Sequence, residues 1–108
     1  MDTKSENGKT AAIIAYLTLI GTIIAYFINN DTKNSFASFH IRQALGIHIT
    51  YFLLGAFVSI FDSWMVSYSF WIFIIILWGY GLLTAIQGEQ KEVPLLGIQF
   101  QKWFSTIN

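Results

Sequence analysis

Residues 63–88 read SWMVSYSFWIFIIILWGYGLLTAIQG and contain no Asp, Glu, Lys or Arg. About 20 predominantly apolar residues, rising 1.5 Å each, are enough to cross a hydrocarbon core of roughly 30 Å. This run is long enough to do so as one helix. Two further runs without those charges, 10–30 and 43–61, precede it. Together they predict an all-α membrane protein with three transmembrane helices near 11–28, 44–61 and 66–86. A polar N-terminal tail, residues 1–10, is expected ahead of a single membrane domain over 11–108.

Composition points the same way. Of 108 residues, 55% are hydrophobic, 18% aromatic and only 11% charged, where a soluble domain carries about 25% charge. A chain this short has too few polar side chains to wrap three apolar helices in a water-facing shell. The first run is not read as a signal peptide: it exceeds the usual h-region of about 7–15 residues, and Ala25-Tyr26-Phe27-Ile28-Asn29-Asn30 offers no small-x-small cleavage site. Net charge is zero, with no basic block to release counterions from a phosphate backbone, so nucleic acid is excluded as a partner. The absence of cysteine rules out disulfides, thiolate metal sites and thiol nucleophiles. The expected partners are the lipid bilayer and a second copy or another membrane protein, and the expected location is a bacterial inner membrane.

The span ends carry suitable chemistry. Thr10 and Ser67 are candidate helix caps, and Trp64, Tyr68 and Trp71 cluster where the third span meets the headgroups. With three crossings, Lys33, Arg42, Lys91 and Lys102 fall on one side and Lys4 and Lys9 on the other, which favours a cytoplasmic first loop and C-terminus with the N-terminus outside. After the polar Gly88–Pro94 connection, Leu96, Phe100, Trp103, Phe104 and Ile107 recur at helical spacing, predicting an amphipathic interfacial helix within 95–108.

The stretch Ser35-Phe36-Ala37-Ser38-Phe39-His40-Ile41-Arg42-Gln43-Ala44-Leu45 places polar groups at the entrance to the second span. A helix starting near Ser35 and running to Phe61 would be about 40 Å long, so its first turns lie outside the hydrocarbon. At about 100° per residue, His40 and Gln43 share a face, Tyr51 lies nearly above His40, and Arg42 points elsewhere. Phe39, His40, Arg42, Gln43 and His48 are therefore the candidate interaction site. Arg42 reads as a snorkelling cation or as a contact for a lipid head group or partner. His48, two turns deeper than His40, reads as interhelical glue or as a proton or substrate relay.

Metal binding and catalysis find little support. His40 and His48 are eight residues apart, and the nearest acids, Asp31 and Asp62, belong to opposite span ends. No HExxH, G-x-S-x-G or P-loop motif occurs, so neither cofactor nor enzymatic activity is expected. Small residues at i and i+4 recur in every span, as Gly21 and Ala25, Gly55 and Ser59, and Gly81 and Ala85, the spacing that lets helices approach closely.

The run Phe39-His40-Ile41-Arg42-Gln43-Ala44-Leu45 resembles the F-H-x-R-Q-A/G pattern of a domain-of-unknown-function family of small bacterial membrane proteins. That family is similar to the chloroplast inner-envelope import component of the Tic-twenty type. The Gly88–Pro94 connection after the third span also fits. The chain departs in having Ile41 where alanine is frequent, and in lacking an additional span of the plastid proteins. The resemblance implies three spans and no cofactor, and it assigns no catalytic residue. The expected function is a non-enzymatic, import-component-like membrane protein assembling with itself or another membrane protein. The alternatives are an oligomeric carrier or channel subunit using His40, Gln43, His48 and Tyr51, and, more distantly, a lipid- or peptide-directed enzyme.

Overall fold

A computed structural model describes residues 3–107, with the side chains of residues 3–7, 31 and 32 outside that description. Five helices follow one another: α1 (Thr3–Leu17), α2 (Leu19–Thr32), α3 (Ser35–Val58), α4 (Trp64–Gln87) and α5 (Gly97–Trp103). No strand occurs among the described residues. Two helices, α3 and α4, are long and apolar enough to cross a membrane, not three.

The run read as a first span is broken at Thr18. There the backbone is extended (φ −156°, ψ 173°), and the Thr18 hydroxyl caps α2 by accepting from the Gly21 amide at 3.0 Å. The chain then folds back. Gly21 lies so close to α1 that a Cβ would collide with the Ile14 carbonyl, and the Thr22 hydroxyl donates to the Ala15 carbonyl at 2.7 Å. At the other end, Gly8 of α1 abuts the Asn34 side chain that caps α3. The two helices thus form an antiparallel hairpin whose arms, 15 and 14 residues, are only about 22 Å long, too short to cross a core of roughly 30 Å. Residues 3–10, read as a polar tail, lie within α1.

α3 and α4, 24 residues and about 36 Å each, form a longer hairpin turning at 59–63. The cap of α4 is Ser63, four residues before the predicted Ser67, and Gly88 ends α4 in the left-handed region (φ 76°) that favours glycine. The tip of the short hairpin meets α3 at His48 and α4 at Trp78, whose indole Nε1 donates to the Tyr16 carbonyl at 2.6 Å. That tip therefore reaches partway along the long hairpin. α5 packs on α3, with the Phe100 ring over Gly46. It has seven residues, shorter than the predicted C-terminal helix.

The largest buried side chains, among them Tyr16, Phe36, Ile41, Ile47, Leu77 and Phe100, lie where the two hairpins and α5 meet. Elsewhere the surface is apolar: Ile20 is 70% exposed, Phe27 67%, Leu53 70% and Trp64 71%. A core helix of a soluble protein would be mostly covered, but the apolar windows of α3 and α4 are only 28% and 33% buried.

Candidate functional site

The polar entrance to α3 is a junction of three chain segments. His40 and Gln43 are fully buried and one turn apart. His40 Nε2 lies 2.7 Å from the Glu89 carbonyl, which can only accept, so Nε2 carries the ring hydrogen. Nδ1 of the neutral ring must then accept, and its partner is the Tyr16 hydroxyl of α1 at 2.6 Å. The Tyr16 oxygen in turn accepts from Gln43 Nε2 at 2.9 Å. Gln43 completes the circuit by donating to the Lys91 carbonyl at 3.3 Å and accepting the Val93 amide at 2.9 Å.

Each polar atom of Gln43 is used, and both His40 nitrogens are bonded. The geometry latches the first turns of α3 to α1 and to the connection between α4 and α5. Phe36, Phe39 and Tyr16 present ring edges to His40 at centroid distances of 4.8, 5.1 and 5.5 Å, closing the cage with apolar walls.

Arg42 faces away from this cage, toward the C-terminal segment. Its Nε donates to the Ile107 carbonyl at 2.8 Å and its guanidinium reaches Gln101 Oε1 at 3.3 Å, while Gln101 Nε2 donates back to the Phe39 carbonyl at 2.9 Å. The end of the first apolar run is knotted by Asn29, which donates to Ser38 Oγ at 2.9 Å and accepts the Asn34 amide at 2.9 Å.

His48 stands apart from the latch, at the tip of the short hairpin. Thr22 has one hydroxyl hydrogen, given to the Ala15 carbonyl at 2.7 Å, so the 3.0 Å contact to His48 is Nδ1–H donating to Thr22. Tyr51 keeps company with Phe70 and Trp71 rather than with His40. Of the small-residue pairs, Gly21 packs within the short hairpin, Gly81 admits the Tyr16 ring, Ala25 and Ala85 are buried, and Gly55 lies against Phe70. Ser59 is exposed and caps α3. Sequence reasoning missed Tyr16, Thr22 and Gln101. A tyrosine or threonine in an apolar run looks like ordinary span filler, and Gln101 sits among residues read as surface.

Among the described residues no group of three or more His, Asp or Glu is placed to hold a metal ion. The model of the magnetosome magnetite crystal formation protein family matches residues 7–100. The chain belongs to that family. This assignment overturns the resemblance to the import-component family. The Phe39–Leu45 run lies inside the magnetosome family match, so an import role has no support from it. No match was found among curated proteins or among solved structures. Membership in this magnetosome family, together with two membrane-capable helices, supports a membrane location. The whole latch, from Tyr16 to Val93, falls within the residues that define the magnetosome family match.

Proposed function

We propose that the chain is a non-enzymatic component of the membrane in which magnetite crystals form, crossing it twice, and that it acts as an assembly of copies. In this reading α3 and α4 are the crossings, and the α1–α2 hairpin enters and leaves on one side. Backbone groups freed at membrane depth must find partners within the protein, and at the exposed Thr18 break they do so locally: the Thr18 hydroxyl accepts the Gly21 amide and the Thr18 carbonyl accepts the Thr22 amide. Both ends of the short hairpin, the start of α3, the end of α4 and α5 then share one face. Lys9, Lys33, Arg42, Lys91 and Lys102 all lie there, and the 59–63 turn carries only Asp62. This replaces the expectation of an N-terminus opposite the C-terminus and gives the positive-inside rule a clearer asymmetry.

The latch supports a structural rather than catalytic use of the polar entrance. His40 and Gln43 are committed to Tyr16 and to backbone groups, which leaves no nucleophile and base pair at that site.

The observation that carries self-assembly is Gly79. It lies in the middle of α4, where glycine costs about 1 kcal/mol relative to alanine, and a Cβ there would have nothing within 4 Å. No contact within the chain requires it. It forms a notch in the exposed stripe of Ile72, Ile75, Ile76, Leu83 and Ile86, where a second α4 can approach closely.

The test uses the absence of native cysteine. A cysteine at Ile76 should cross-link two copies in native membranes, while one at Leu53, on the other long helix, should not. Gly79→Leu should abolish the cross-link and alter the crystal size distribution seen by electron microscopy at unchanged protein level. No cross-link from Ile76, together with a monomeric mass in detergent, would refute the reading.

A further inference from the structure

The tip of the short hairpin borders a cavity of about 290 Å³ whose lining includes Leu17, Thr18, His48, Tyr51, Phe52 and Trp78. Its walls are mainly aliphatic and aromatic, and its polar side chains are His48, Tyr51 and Thr18. With Nδ1–H given to Thr22, the other ring nitrogen, Nε2, is a bare acceptor with no hydrogen-bond partner among the described residues. No buried side-chain nitrogen or oxygen among those residues lacks a partner, so Nε2 keeps accessible surface, and His48 lines this cavity.

Two residues at the rim, Leu17 and Phe52, are 58% and 55% exposed, so the mouth opens toward hydrocarbon. The Thr18 hydroxyl accepts the Gly21 amide, and the Thr22 hydroxyl donates to Ala15 and accepts from His48.

We propose that this cavity binds an aromatic alcohol dissolved in the bilayer, its hydroxyl donating to His48 Nε2 and its ring lying among Tyr51, Phe52 and Trp78. An unpaired acceptor in an apolar chamber selects for one donor on an apolar body. The volume is near the lower end of small-molecule sites, about 300 Å³, which suits one or two fused rings. The site is independent of the latch and of the Gly79 face, so its failure would leave the assembly reading untouched.

The experiment uses the full chain in lipid nanodiscs with ¹⁵N-labelled histidine, titrated with 1-naphthol and separately with 1-methoxynaphthalene, which has the same ring and no donor. The His48 Nε2 resonance should begin as that of an unprotonated, unbonded nitrogen and shift saturably with 1-naphthol. The methoxy analogue should bind about tenfold more weakly, the difference of one hydrogen bond, without that shift. His40, already bonded at both nitrogens, is the internal control.

Leu17→Trp should block the mouth and abolish the naphthol shift while the His40 signals stay in place, which shows that the fold is intact. The proposal is overturned if the two compounds act alike or neither shifts His48. It is overturned equally if the shift survives Leu17→Trp, or if Nε2 is already hydrogen-bonded before any compound is added, as standing water would make it.

Discussion

Tyr16 donates its hydroxyl hydrogen to His40 Nδ1 across 2.6 Å, tying the first helix to the buried face of the third. The same oxygen accepts from Gln43. Tyr16→Phe keeps the ring that packs against Gly81 but leaves the His40 Nδ1 lone pair and one Gln43 Nε2 hydrogen buried without a partner. Each such group costs about 1–3 kcal/mol, and interhelical hydrogen bonds in membranes fall toward the lower end. The expected loss is about 2 kcal/mol, read from denaturation in mixed micelles. Tyr26→Phe, at an exposed ring, should cost little by comparison.

The two histidines should hold opposite tautomers. His40 is fixed as Nε2–H by the Glu89 carbonyl and His48 as Nδ1–H by Thr22. Solid-state ¹⁵N spectra at neutral pH should show one histidine of each kind, assigned by His40→Gln and His48→Gln. In Thr22→Val the His48 preference should disappear while His40 is unchanged. Two histidines of the same tautomer would be incompatible with these hydrogen bonds.

Topology is directly measurable. Single cysteines at Lys9 and Lys91 should react with a membrane-impermeant maleimide from the same side, and a cysteine at Asp62 from the opposite one. Three crossings would instead put Lys9 on the side of Asp62. Cysteine at Thr18 should be protected from both sides, because in the two-crossing reading the exposed break faces hydrocarbon, where a water-soluble maleimide does not reach.

That experiment bears on the feature the sequence concealed. α3 and α4 were legible because an uncharged run longer than about 18 residues has few alternatives to a spanning helix. The stretch 10–30 passes the same test, and it contains neither proline nor charge to mark a boundary. Its break is made by contacts: Thr18 caps, Gly21 approaches α1, and Thr22 reaches Ala15. Threonine and glycine are common in membrane helices, so none of the three signals a turn by itself. At the candidate site, helical periodicity alone puts His40 and Gln43 on one face and Arg42 on another. Their partners were not legible, because the Glu89, Lys91 and Ile107 carbonyls and the Val93 amide are backbone groups, and these leave no mark in residue identity.

The C-terminal segment is held by a close approach that one methyl group should disturb. At Gly46 an added Cβ would collide with the Phe100 ring, and Phe100 is itself buried. Gly46→Ala should therefore push α5 off α3 at a cost of about 1–3 kcal/mol, the usual range for overpacking. It should also strain the Gln101 contact to Phe39 and the Arg42 contact to Ile107. Limited trypsinolysis at Lys102 should accelerate in Gly46→Ala. Phe100→Leu, with a smaller side chain, should restore much of the protection in the double variant, although alone it loosens the same contact. The sign of that coupling is the test: two variants that each loosen α5 should together loosen it less than their sum. Simple additivity would mean that the Phe100 ring does not hold α5 through Gly46.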